Sequence, residues 1–96
     1  MRVRLSAQVV EFVRSQAPDP RRRLRNALRA LTREEGDLKA LEGPLQEYHR
    51  LRVGSYRVVF RYASSKVVEC VFAERRNVVY EIFAETLIDR LTGKPG

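Results

Sequence analysis

The spacing of apolar residues changes twice along this chain, from a short alternation to helical stripes and then to short β-like runs. Residues 2 to 5, Arg-Val-Arg-Leu, alternate polar and apolar as a strand does. Ser6 offers an N-cap for a helix with Val9, Val10 and Val13 on one stripe, stopping before Ala17-Pro18. Asp19-Pro20 marks a second helix start, since Asp caps free amides and Pro already carries a helical φ. Leu24, Ala27, Leu28 and Leu31 then recur at i, i+3, i+4 and i+7, with arginines at 21, 22, 23, 25, 29 and 33 around the rest. Two such helices joined at Ala17-Pro18 form a hairpin with one apolar face to bury.

After Gly36, and the Gly43-Pro44 break, the pattern predicts strands over about 47 to 53, 56 to 63 and 67 to 75. Gly54-Ser55 suits a two-residue hairpin turn, where Gly accepts φ > 0, and Ser64, Ser65 and Lys66 make a longer one. Asn77 is the expected cap of a closing helix with Val79, Ile82, Phe83, Leu87 and Leu91 on its buried stripe, ended by Gly93. The expected class is α+β. A helical hairpin packs on one face of a mostly antiparallel four-stranded sheet, followed by a C-terminal helix. Residues 1–92 form a single domain and 93–96 a flexible tail.

Pairing Val53 with Tyr56 sets Leu51 against Val58, Arg52 against Arg57, Arg50 against Val59 and Tyr48 against Arg61. Side chains alternate along a strand, so Leu51, Val53, Tyr56, Val58 and Phe60 share one face and Tyr48, Arg50, Arg52, Arg57 and Arg61 the other. Continued through the next turn, Ala63 meets Val67, Arg61 meets Glu69, Phe60 meets Cys70 and Val58 meets Phe72, and Arg75 joins the arginine face. His49 falls opposite Phe60 on the core face, a structural position. Cys70 reads as a buried hydrophobe beside Val68 and Phe72. Glu74 points inward or to the sheet end.

Composition narrows what such a fold does. At 96 residues and 11.2 kDa there is room for one core, and 44% hydrophobic residues argue against disorder. One cysteine and one histidine exclude a disulfide framework and a His-pair zinc site, so no metal or cofactor is expected. No apolar run reaches signal-peptide or membrane-spanning length, which predicts a cytoplasmic protein with no membrane partner. The net charge is +7, and 16 of the 19 cations are arginine, the planar bidentate reader of phosphate. Like charges directly opposite on a sheet are destabilising. Arg52 against Arg57, with Arg50 and Arg61 close by and no acid between Tyr48 and Val68, is a feature folding does not ask for and an anionic ligand relieves.

Three segments carry a resemblance: Leu41-Glu42-Gly43, Tyr48-His49-Arg50-Leu51-Arg52-Val53-Gly54-Ser55-Tyr56-Arg57-Val58-Val59-Phe60, and Arg75-Arg76-Asn77-Val78-Val79-Tyr80. In this order and spacing they resemble the RelE/ParE superfamily of bacterial toxin-antitoxin toxins, over nearly the whole chain. The resemblance implies a sheet with one face under the helices and the other concave. RelE-like members use that face to cleave messenger RNA in the ribosomal A site, silenced by an acidic antitoxin. ParE-like members share the fold, poison DNA gyrase and lack the catalytic set.

Position by position, Arg57 matches the family's catalytic arginine after the Gly-x-Tyr turn. Arg50 falls where RelE has a strand lysine. Arg75 matches the arginine after the last strand, with Arg76 one residue away as the alternative, and Tyr80 matches the tyrosine of the final helix. Tyr48 replaces the other strand lysine, and an arginine at 50 is a poor proton acceptor. The expected catalytic set is Arg57, Arg75, Tyr80 and Arg50, with Tyr48, Arg52, Arg61 and Arg76 binding RNA.

The implied chemistry is metal-independent attack of an RNA 2′-OH on the adjacent phosphate, with Arg57 and Arg75 holding the developing charge and Tyr80 or Tyr48 moving protons. The expected function is a ribosome-dependent endoribonuclease toxin that inhibits translation. It forms a hetero-oligomer with a cognate acidic antitoxin, through which the pair binds operator DNA. Two readings compete: a gyrase-directed toxin without nuclease activity, and a basic RNA-binding module without catalysis. The arginines of the second helix are a solvated face in the plain reading and ribosomal RNA contacts in the functional one.

Overall fold

The computed structural model describes residues 1–76 and 79–92. In chain order these form β1 (Arg2–Leu5), α1 (Ala7–Arg14), α2 (Pro18–Ala30), β2 (Asp37–Ala40), β3 (His49–Val53), β4 (Tyr56–Ser64), β5 (Val67–Arg75) and α3 (Val79–Thr92). The sheet has five strands in the order β1-β5-β4-β3-β2, with β1 parallel to β5 and every other pair antiparallel. The α+β class and the helical hairpin over one sheet face are as expected, with one strand more. That strand is β2, which pairs Asp37 with Arg52 and Lys39 with Arg50.

The helix starts follow local chemistry. The Ser6 hydroxyl accepts from the Val9 amide at 3.2 Å and donates to the Val71 carbonyl at 3.0 Å, so it caps α1 and ties it to β5. α2 begins one residue before the expected Asp19 cap. Pro18 holds the first helical position, Ala17 is extended, as a residue before proline prefers, and no side chain caps the end. Asp19 pairs with Arg22 at 2.7 Å instead.

Val9 and Val13 of α1, with Leu24, Leu28 and Leu31, pack on Leu51, Val58, Phe60, Val68, Cys70 and Ala73 from the sheet. His49 stacks on Phe60 and meets Tyr62 edge-on on this face. Beyond the end of β1 the edge of β5 is finished by side chains. Gln8 accepts from the Ala73 amide at 2.8 Å and donates to the Ala73 carbonyl at 2.7 Å.

The β3–β4 register is the expected one, with Val53 opposite Tyr56, Gly54 at φ 57 in the turn and Arg52 opposite Arg57. Tyr48 lies just outside β3 and does not pair with Arg61. The β4–β5 ladder keeps Phe60 with Cys70 and Arg61 with Glu69, then slips. A bulge at Val71 sets Phe72 against Val59, Ala73 against Val58, Glu74 against Arg57 and Arg75 against Tyr56, and a second irregularity sets Ser64, not Ala63, against Val67. Because one residue of slip exchanges the faces of a strand, Phe72 leaves the hairpin side. Glu74 takes the register position on the arginine face, and Arg75 the one on the hairpin side.

α3 covers part of that second face. Val79 and Phe83 join Val59 and Phe72 in a smaller cluster, flanked by Leu41, Leu45, Tyr48, Val71 and Tyr80. Ile82, expected on the buried stripe, is 36% exposed. The Asn77 cap, the Gly93 stop and the 93–96 tail lie outside the described residues, as does the side chain of Leu91. Among the described residues no helix is long and apolar enough to cross a membrane.

Candidate functional site

Where α3 begins, the sheet surface it leaves uncovered forms an open cavity of about 510 Å³. It is lined by Lys39 and Ala40 of β2, Leu41, Glu42, Arg50 of β3, Arg57 of β4, Arg76 and Tyr80. Four cations therefore share one cavity with a single carboxylate and a phenol. Each comes from a different element, so only the folded sheet assembles them.

Arg57 is held rigidly. Its Nη1 donates to the carbonyls of Gly54 at 2.8 Å and Tyr56 at 2.9 Å, which leaves its other guanidinium nitrogens to meet a ligand. Burial pushes its pKa down, and the charges of Arg52, Arg50 and Arg76 push the same way against an opposing contribution from Tyr80. An arginine so surrounded keeps its proton and gains most from an anion.

Arg50 is committed elsewhere. Its Nη1 donates to both the carbonyl and a carboxylate oxygen of Asp37, each at 3.0 Å, and its side chain is only 16% exposed. The hydrogen bond from Arg50 is the main cause of a lowered Asp37 pKa, aided by the charges of Arg50, Arg52 and Arg57 against some desolvation. Arg52 stands 4.0 Å from the same carboxylate. The repulsion expected across this face is thus relieved in part by an acid that the linear reading did not place there. Arg50 reaches the cavity wall, yet its first task is to fasten the edge strand.

The remaining candidates separate. Arg76 lines the cavity and Arg75, its neighbour, does not, a consequence of the bulge that turned β5. The only contact given for Arg75 is its backbone amide donating to a Glu74 carboxylate oxygen at 3.0 Å. Tyr48 packs edge-on against Phe83, ring centroids 4.9 Å apart. Arg61 pairs with Glu69 at 3.1 Å. Both line a different cavity, beneath α3 beside Val71, Phe72 and Leu87, so neither sits with Arg57. Arg52 neighbours Arg57 across the ladder without lining the cavity.

Two lining residues were not singled out from the sequence. Lys39 lies on the unpredicted strand, directly opposite Arg50. Glu42 stands inside Leu41-Glu42-Gly43, a segment quoted for its resemblance alone. It leads into a short turn whose Gly43 takes φ 63. The repeated Leu-Lys-Ala-Leu just before that glycine was the available signal for both.

No family model matches the chain, and no curated protein matches its sequence. Solved structures do match in fold. The chain is similar to a RelB-RelE antitoxin-toxin complex chain from Methanococcus jannaschii, with 18% identity, a TM-score of 0.65 and coverage of 83% of this chain and 98% of that one. It is similar to YafQ from E. coli, with 12% identity, TM-score 0.63, and 81% and 97% covered. It is also similar to a YoeB/ParE toxin from Agrobacterium tumefaciens, with 20% identity, TM-score 0.57, and 79% and 99% covered. The fold is that of RelE-like toxins.

Proposed function

We propose that this chain is the toxin of a toxin-antitoxin pair and a metal-independent endoribonuclease acting on messenger RNA at the ribosome. The observation that carries the reading is the cavity, which gathers Lys39, Arg50, Arg57 and Arg76 around one carboxylate and one phenol. The resemblance of the Gly-Ser-Tyr-Arg turn and of Tyr80 to RelE-like toxins, and the shared fold, support it.

The 2′-oxygen attacks the adjacent phosphorus, forming the O2′–P bond as the P–O5′ bond breaks, and leaves a 2′,3′-cyclic phosphate and a 5′-hydroxyl. Arg57, immobilised by the turn carbonyls, and Arg76 hold the phosphorane oxygens, where preorganised donors act most strongly. Arg76 takes the part first assigned to Arg75. Glu42 accepts the 2′-OH proton and Tyr80 donates one to O5′, each transfer contributing about 10² to 10⁴-fold. Lys39 supplies a mobile ammonium beside the leaving group, a place that Arg50, tied to Asp37, does not fill.

The cavity's charge fits an acidic antitoxin segment that covers it by phosphate mimicry, with the hetero-oligomer binding operator DNA through the antitoxin. The M. jannaschii relative is itself held in such a complex. Action on translating ribosomes places the protein in the cytoplasm. A gyrase-directed, non-nucleolytic toxin is the second reading, favoured by the likeness to the YoeB/ParE toxin, and it predicts tolerance of change at Arg57 and Tyr80.

Induction without a partner, followed by primer extension of cellular transcripts, tests the proposal. Growth arrest with new 5′ ends inside open reading frames, absent for Arg57→Ala, is expected. Arrest with intact transcripts and failed DNA supercoiling would move the assignment to gyrase.

A further inference from the structure

α2 carries a second cationic surface, on the far side of the sheet from the cavity. Leu24 and Leu28 turn its inner stripe to the core. On the outside, Arg21, Arg22, Arg25, Asn26 and Arg29, with Pro18 at the helix start, line a shallow groove of about 460 Å³. Asp19 answers only Arg22. Arg21 bends back to the Gln16 carbonyl at 3.3 Å, which keeps its full charge. Among the described residues no carboxylate pairs with Arg25 or Arg29. Arg21, Arg25 and Arg29 stand four apart, a spacing at which like charges destabilise a helix. This face, like the cavity, holds charge that folding does not require.

We propose that this groove binds the sugar-phosphate backbone of double-helical RNA, at a site separate from the cavity. The three arginines recur about 6 Å apart along the axis, each presenting a fork of donors suited to a phosphate oxygen pair. The lining also decides against a protein segment. A docked chain needs apolar anchors in a desolvated centre, and Pro18 is the sole apolar residue here. A phosphate backbone needs only charge and donors. Contacts of this kind position RNA without reading its sequence. With the groove and the cavity on opposite faces, the chain grips a helical RNA element on one side while a single strand enters the other. A message presented within a larger folded RNA meets both.

The choice of RNA over DNA rests on the proposed cleavage, whereas the charge argument stands by itself. The test is fluorescence anisotropy with a short mixed-sequence RNA duplex across a salt series, and with a DNA duplex of equal length. The proteins are the wild type, the triple variant R21Q/R25Q/R29Q and Arg57→Ala. Glutamine is a good helix former and ends the repulsion, so the triple variant should melt no lower than the wild type. The expected result is a roughly tenfold or greater loss of RNA-duplex binding and a log-log salt slope shallower by about 2 to 3, near 0.9 for each lost phosphate contact. Arg57→Ala should bind the duplex as the wild type does. Unchanged duplex binding by the triple variant, or equal loss in Arg57→Ala, overturns the groove. DNA binding tighter than RNA, with the same dependence on the three arginines, overturns the choice of RNA. If Arg57→Ala still cleaves while the triple variant loses the duplex, the cavity reading fails and the groove stands.

Discussion

Replacing Arg57 with alanine tests the site and the fold by separate readouts. In the folded protein the side chain makes two hydrogen bonds to turn carbonyls, at 2.8 and 2.9 Å, and stands directly opposite Arg52. Each bond has a net worth of about 0.5 to 1.5 kcal/mol. Against that loss, removing a like charge across the ladder returns about 0.2 to 1 kcal/mol. The balance is a loss of about 0 to 3 kcal/mol, centred near 1, which for a domain of this size lowers Tm by roughly 4 to 8 °C per kcal/mol. The variant therefore stays folded at growth temperature. If Arg57 holds charge that develops only in the transition state, its removal costs about 2.7 to 4 kcal/mol of barrier, or 10² to 10³ in rate. Thermal melting by circular dichroism reads the first quantity, and single-turnover cleavage of a programmed ribosomal complex reads the second. Cleavage within threefold of wild type by a folded Arg57→Ala protein would refute the assignment, and a collapse in Tm would show the side chain to be structural.

Lys39→Ala should slow cleavage about 10-fold or more with no change in Tm, since the side chain is exposed on an edge strand; Lys39→Arg should restore message binding in a filter assay and leave the rate low, because arginine gives up no proton. Asp37 has a folded pKa below its ordinary value, so the stability it contributes is present above about pH 4 and is lost as pH falls through the lowered value. The Tm gap between wild type and Asp37→Asn should accordingly be open at neutral pH and close on acidification, and a gap that widens below pH 4 would contradict this ion pair. Burial pushes the Cys70 thiol up to about 12, so a thiol reagent at mildly alkaline pH should label the native protein only as fast as it unfolds. Rapid labelling without loss of near-ultraviolet circular dichroism would contradict its place in the core.

Local sequence determined what depends on neighbours in the chain. The Gly54-Ser55 turn and the alternation on either side fix the β3–β4 register, because a two-residue loop admits one pairing and a slipped strand would turn Leu51 and Val58 to solvent. The stripes of α1 and α2, and the parity that sets His49 on Phe60, are legible for the same reason. Tertiary structure decided what depends on strands distant in sequence. Asp37-Leu38-Lys39-Ala40 has neither the length nor the β-branched residues of a strand signal. It becomes one because Arg50 and Arg52 stand ready to receive Asp37. The near-continuous apolar run Val67-Val68-Glu69-Cys70-Val71-Phe72-Ala73 conceals its bulge, since apolar residues on both faces leave no alternation to break. That bulge turns Arg75 away, and the cavity takes Arg76. The arginine face was written in the sequence. Which arginines meet around one cavity, with Lys39 and Glu42 between them, was set by one extra residue in β5 and one short strand, neither of which has a local cause.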